Sequence, residues 1–151
     1  MRKAYSILLV MLCFVMQGWA QKVTELSQLS NDKVYSIRSE RAFLFYSSVE
    51  SVANQLCTST GSAVGTVTED SSKPEQQFRI EKKDNKYYLF SIGAGKYVNK
   101  SGNYSESATD ALVLTKENNA NYPWKLVIGG NGLNSQVAGQ TPNGIMVNGW
   151  T

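Results

Sequence analysis

The chain has 151 residues, enough for one domain with its own apolar core, and carries 15 basic against 12 acidic residues with no histidine. Without histidine there is no Ser-His-Asp or Cys-His nucleophile and no imidazole-held zinc or iron. A formal charge of +3 with no concentrated basic face disfavours a nucleic-acid partner, because displacing counterions from phosphates needs clustered Lys and Arg.

The first stretch does not read as part of the domain. Arg2 and Lys3 give a positive start, an apolar run follows from Ile7 to Met16, and small residues stand at Gly18 and Ala20. This is the order of a secretory signal peptide, with cleavage expected before Gln21, and the apolar run is too short to span a bilayer comfortably. Residues 1–20 are therefore assigned as a signal peptide, and the protein is expected to be secreted, periplasmic or at the cell surface, with no membrane insertion after cleavage. Leu12 precedes Cys13, where a lipid-anchored form would need a small residue. Removing Arg2 and Lys3 lowers the net charge to +1, and Cys57 is the one cysteine left. It has no disulfide partner in the chain and reads as a small buried hydrophobe rather than a reactive thiol.

From Gln21 the sequence is β-rich. Short strands are expected at Val34–Arg38, Phe43–Tyr46, Val64–Thr68, Gln77–Lys82, Lys86–Ile92, Tyr97–Asn99, Leu112–Thr115, Trp124–Ile128, Leu133–Val137 and Gly144–Val147. One segment has helical spacing: Val49, Val52, Ala53 and Leu56 predict one or two helical turns. Asp84-Asn85 and Gly129-Gly130 separate strands and take left-handed backbone angles at small steric cost, which predicts tight hairpins. Lys82, Lys83 and Lys86 cluster around the first of these and read as a solvated turn.

The chain also repeats itself. Gln76-Gln77-Phe78-Arg79-Ile80, Asp84-Asn85, Tyr87-Tyr88-Leu89-Phe90-Ser91 and Gly95-Lys96-Tyr97-Val98 form one unit. Tyr122-Pro123-Trp124-Lys125-Leu126, Gly129-Gly130, Gly132-Leu133-Asn134 and Gly144-Ile145-Met146-Val147 follow the same order about 46 residues later. Val34-Tyr35-Ser36-Ile37 with Arg41-Ala42-Phe43-Leu44-Phe45-Tyr46 fills the matching slot upstream, in a longer first copy. Three four-strand units, none able to bury its apolar face alone, predict a closed repeat architecture.

These motifs resemble the ricin-B-like β-trefoil superfamily, whose lobes end in Gln-x-Trp. Gln76-Gln77-Phe78 resembles that signature with Phe in place of Trp, and Tyr122-Pro123-Trp124 keeps the Trp without the Gln. The resemblance covers roughly residues 29–151 and implies an all-β barrel capped by hairpins, with Gln76, Phe78 and Trp124 in the structural core of the repeat. The run from Lys86 through Lys100 also resembles trefoil-like domains of secreted bacterial proteins, which often precede a glycan-active or other catalytic module. The chain ends at Asn148-Gly149-Trp150-Thr151, where the third lobe would continue. The last strands of that lobe are therefore expected to be missing, the domain of residues 21–151 to be C-terminally incomplete, and Val34–Arg38 to present an unpaired edge.

The resemblance implies a non-catalytic carbohydrate-binding function, in which an acidic side chain, an amide and a ring hold a sugar. No Asp lies in Ser91–Lys96, where the second lobe would present one, and Glu40 stands nearby in the first. The candidate sugar contacts are Tyr97, Asn99, Tyr104, Asp110, Asn148 and Trp150, with a glycan or polysaccharide as partner. No catalytic residue, metal or cofactor is expected. A carboxylate pair of the glycosidase kind is the remaining route to catalysis, and the acidic residues are scattered through loops with nothing to mark such a pair. The alternative is a structural or protein-interaction trefoil with no sugar site. Asn99-Lys100-Ser101 and Asn103-Tyr104-Ser105 match the glycosylation acceptor pattern and read as chance matches in an Asn- and Ser-rich chain.

Overall fold

A computed structural model describes residues 20–40, 42–59, 64–132 and the backbone of 146–150. The strands are β1 (Gln21–Lys22), β2 (Val34–Arg38), β3 (Leu44–Tyr46), β4 (Leu56–Thr58), β5 (Phe78–Lys83), β6 (Lys86–Ser91), β7 (Lys96–Val98), β8 (Tyr104–Ser105), β9 (Leu112–Lys116), β10 (Trp124–Ile128), β11 (Asn131–Gly132) and β12 (Met146–Trp150). Among the described residues no α-helix forms; 3-10 turns occur at Leu26–Gln28 and Pro74–Gln76. The signal-peptide assignment lies outside the described residues apart from Ala20, and so do Leu133–Val137 and the start of the strand expected at Gly144.

The fold is all-β. A curled antiparallel sheet runs β1-β12-β2-β5-β6-β9-β10-β11, with β7 joined to β6 and β8 to β7, while β3 and β4 form a separate pair. Alternation of apolar and polar residues sets which face is buried. Phe78 and Ile80 on β5 are buried while the alternate residues Arg79 and Glu81 are not; Leu112 and Leu114 on β9, and Trp124, Leu126 and Ile128 on β10, repeat the pattern. With Tyr35, Ile37, Leu44, Leu89 and Val98 these side chains form one continuous core. Two of its polar groups are matched by hydrogen bonds, while the buried Tyr104 hydroxyl has no partner. The Tyr35 hydroxyl accepts from the Ser30 N–H at 2.8 Å, and the Trp124 indole N–H donates to the Val23 carbonyl at 2.7 Å. The second bond ties the N-terminal segment to β10. Lys116 reinforces it by bonding the Thr24 carbonyl and the Glu25 carboxylate.

Both expected tight hairpins form. Asp84 and Asn85 have φ of 49° and 62° between β5 and β6, and Gly129 and Gly130 have φ of 53° and 91° between β10 and β11. Paired left-handed residues give the turn whose twist matches antiparallel strands. Strands β2 and β6 are shared in the same manner. β12 runs along one edge of β2, and the other edge divides between Tyr35–Phe78 and Arg38–Phe43. β5 runs along one edge of β6, and the other divides between Tyr87–Leu112 and Phe90–Tyr97.

Three expectations are corrected. The edge of Val34–Arg38 is not open: all five residues of β12 pair with it, from Met146–Arg38 to Trp150–Val34, and β1 covers the far side of β12. Val49–Leu56 is not helical. It makes two successive tight turns, closed by Val52 N–H to Val49 and Gln55 N–H to Val52 at 3.0 Å each, and then enters β4. Pairing of Leu56–Thr58 with β3 outweighs the weak local helical spacing, since a single turn has little stability of its own. Among the described residues of Val64–Thr68 no strand forms, and β4 takes the expected place beside β3.

Candidate functional site

An open cleft of about 680 Å³ lies between the end of β3 and the chain from Val64 to Gln76. Phe45, Val64 and Val67 line it and belong to a small second core that also holds Phe43 and Cys57, with Val52 packed against it. Tyr46 lines one wall with its ring turned to the main core, edge-on to the Tyr104 ring at 5.7 Å, and Ser47 and Ser48 lie beyond it. Thr66 and Thr68 line the opposite side, and Lys73 and Glu75 reach it from the 3-10 turn at Pro74–Gln76. Ser48, Thr66, Thr68, Lys73 and Glu75 are all exposed.

The wall carrying Lys73 and Glu75 is held by side-chain to backbone bonds. Asp70 Oδ1 accepts from the Ser72 hydroxyl at 2.6 Å and the Ser72 N–H at 3.1 Å, which holds its carboxyl below the usual carboxylate range. Pro74 starts the 3-10 turn, where a missing N–H matters little. Gln76 is buried and spans the loop: its Oε1 accepts from Asp70 N–H at 2.8 Å and its Nε2 donates to the Thr68 carbonyl at 2.9 Å. Gln77 Nε2 adds a bond to the Ser71 carbonyl. Glu69, next along, is paired with the Arg38 guanidinium at 2.9 Å. The first residue of the Gln-x-aromatic motif thus fixes one wall of the cleft, while Phe78, fully buried, joins the main core.

A second polar cluster covers the outward face of β5, β6 and β7. The Glu81 carboxylate, 12% exposed, accepts from the Tyr97 hydroxyl at 2.7 Å and is ion-paired with Arg79 and Lys83 at 3.1 Å each. Burial pushes its pKa up, but the bonds from Tyr97 and Lys83 and the two neighbouring cations outweigh burial and hold it below the usual range. Lys83 also donates to the Tyr97 hydroxyl, and the two bonds raise its own pKa.

The residues proposed from the sequence do not converge. Tyr97 lies in the outward cluster with its hydroxyl bonded to Glu81. Asn99 caps its own loop, Oδ1 accepting from the N–H groups of Ser101 and Asn103. Asp110 Oδ2 accepts from the Lys100 N–H at 2.9 Å and closes the same loop from the other side. Tyr104 is a strand residue, 6% exposed, with its ring packed in the main core. Burial raises its hydroxyl pKa. Asn148 and Trp150 lie on β12, opposite Ser36 and Val34 of β2, and their side chains are outside the described residues. The cleft residues Tyr46, Thr66, Lys73 and Glu75 were missed. The one available signal was the polar, Ser- and Thr-rich stretch from Thr66 to Lys73, which the expected strand at Val64–Thr68 obscured. Among the described residues, no cluster of three metal-ligating side chains and no helix long and apolar enough to cross a membrane occurs.

Neither a scan against protein-family models nor a search of curated proteins gives a match. Among solved structures the chain is similar to part of a GlcNAcα1-4Gal releasing endo-β-galactosidase from Clostridium perfringens, with a TM-score of 0.49 and 13% identity. The similarity covers 79% of this chain and spans 29% of that enzyme.

Proposed function

We propose that the protein is a non-catalytic carbohydrate-binding module, built as a β-trefoil of the ricin-B-like kind, that holds a sugar in the cleft beside β3. One observation carries the reading. The cleft gathers an apolar floor (Phe45, Val64 and Val67), an exposed carboxylate (Glu75), an amine (Lys73) and hydroxyls around a volume suited to a small ligand. The hydroxyls and charged groups address sugar OH groups in both donor and acceptor directions, and the apolar floor offers a surface to the C–H face. The trefoil reading is supported by the matching division of the edges of β2 and β6 and by the two left-handed hairpins that follow Phe78 and Trp124. The sequence of residues 1–20 supports action outside the cytoplasm, and a glycan-active neighbour module fits the same role. A single shallow site would bind at about millimolar Kd, roughly −4 kcal/mol, and gains useful strength from linked modules.

A glycan array with the chain, repeated with Glu75→Gln and Lys73→Gln, tests the assignment. Both residues are exposed, so folding survives and binding falls by about tenfold for a lost charge-assisted bond. Binding that persists unchanged in both variants removes the cleft from the site.

A structural or protein-interaction role is the second reading. It is favoured by one observation: Tyr97, Asn99 and Asp110 bond to groups of the protein itself. A pull-down that recovers a protein partner without competition by sugars supports it.

A further inference from the structure

The hairpin of β5 and β6 turns one row of side chains outward. Arg79, Glu81 and Lys83 on β5 stand opposite Phe90, Tyr88 and Lys86 on β6, and the Tyr97 ring continues the row 5.0 Å from Phe90. Two cations therefore flank one carboxylate, and a third, Lys86, stands opposite Lys83. Glu81 is 12% exposed and engaged by Tyr97, Arg79 and Lys83, whereas the Arg79 and Lys83 side chains are 40% and 48% exposed and Lys86 is exposed. An approaching solute meets positive charge rather than the carboxylate. The other acidic groups nearby are Asp84 in the turn and Glu106, which is paired with Lys96.

The cations are also held in place. The Arg79 guanidinium lies over the Phe90 ring at 4.5 Å, and the Lys83 ammonium lies over the Tyr97 ring at 4.6 Å. Cations fixed before a ligand arrives lose less side-chain freedom on binding, and a planar guanidinium matches carboxylate or sulfate oxygens. From this arrangement we propose that the outward face of β5–β7 binds acidic polysaccharide, a sugar chain bearing carboxylate or sulfate groups. The inference rests on the glycan-binding reading for the nature of the polymer. It adds a charge requirement and a surface that shares no lining residue with the cleft. A nucleic acid fits less well. Binding of single strands relies on bases stacked on open aromatic faces, and here cations already lie over Phe90 and Tyr97.

Affinity electrophoresis of the full chain tests the proposal, in gels cast with carboxymethyl cellulose or with hydroxyethyl cellulose, two polymers with the same glucan backbone. The acidic polymer retards the protein, the neutral one does so far less, and the difference fades as salt rises past about 0.1 M. Lys86→Gln weakens retention by roughly threefold, the range of one exposed ion pair, with unfolding unchanged. Lys86→Glu weakens it further. Glu81→Gln strengthens retention, a gain that misfolding does not produce. Equal retention on both polymers, insensitive to salt and to Lys86, overturns the charge requirement while leaving the glycan reading intact. Retention on neither polymer overturns the proposal, and the array then decides the glycan reading separately. Tighter binding of a single-stranded oligonucleotide than of carboxymethyl cellulose also overturns it.

Discussion

Gly93 gives the sharpest test of how the cleft is built. A Cβ placed on it would sit 2.6 Å from the Glu75 Cα, and 3.0 Å from the Glu75 N and the Pro74 carbonyl oxygen. Carbon atoms in contact prefer about 3.5–4.0 Å, so Gly93→Ala forces a displacement of roughly 1 Å. The obstructing atoms are backbone, in the 3-10 turn that carries Lys73, Glu75 and Gln76, and cannot rotate aside as a side-chain tip would. The expected loss is about 2 kcal/mol, the middle of the range for overpacking, or roughly 6 °C in Tm for a domain of this size. Gly95→Ala is the control. Gly95 has φ of +64° and nothing within 4 Å of a new Cβ, so its loss of about 1 kcal/mol comes from backbone strain alone and leaves the cleft wall in place. Urea unfolding followed by tryptophan fluorescence measures both. Gly93→Ala is expected to be the less stable and to weaken sugar binding, with Gly95→Ala binding normally. A Gly93→Ala protein as stable as the parent, with unchanged binding, would refute the packing of the 3-10 turn against the β6–β7 turn.

Other expectations follow from the core and its charges. Trp124→Ala removes a ring 2% exposed together with the indole bond to Val23, and is expected to lower stability by about 3–5 kcal/mol in equilibrium unfolding. Trp124→Phe keeps most of the packing but orphans the Val23 carbonyl, for a loss of about 1–2 kcal/mol. Because the folded pKa of Glu81 is depressed, its contribution is fully present above the unfolded value of about 4.3 and is lost as pH falls through the folded value. Urea midpoints measured from neutral pH down to about pH 3 should therefore fall on acidification, and less steeply in Glu81→Gln. Cys57 is 7% exposed and burial raises its thiol pKa, so it should react with a thiol reagent slowly in the native protein and rapidly in urea.

Much of the fold was legible because its signals are local. Val34–Arg38 and Trp124–Ile128 form at the bounds their alternating patterns predict, and Asp84-Asn85 and Gly129-Gly130 turn where left-handed angles are cheap. Features set by tertiary contact were not legible. The pairing of β12 with β2 joins residues from opposite ends of the chain, and no short-range pattern encodes it. Leu56 reads locally as the end of a helical turn because the strand partner of Leu56–Thr58, β3, lies across an intervening loop. The burial of Tyr104 was not legible because the two-residue strand that carries it is shorter than any periodicity can reveal. The cleft was hidden for the same reason: Tyr46, Thr66 and Glu75 are apart in sequence, and the Gln76 side chain brings part of the wall together through Asp70 and Thr68.

The central claim is that a sugar occupies the cleft beside β3, and amide chemical-shift mapping tests it most directly. During titration with the oligosaccharide that scores highest on the array, saturable shifts should concentrate at residues 46–48, 66–68 and 73–76. Shifts confined to other surfaces, or a spectrum that does not change with any array-positive sugar, would contradict it.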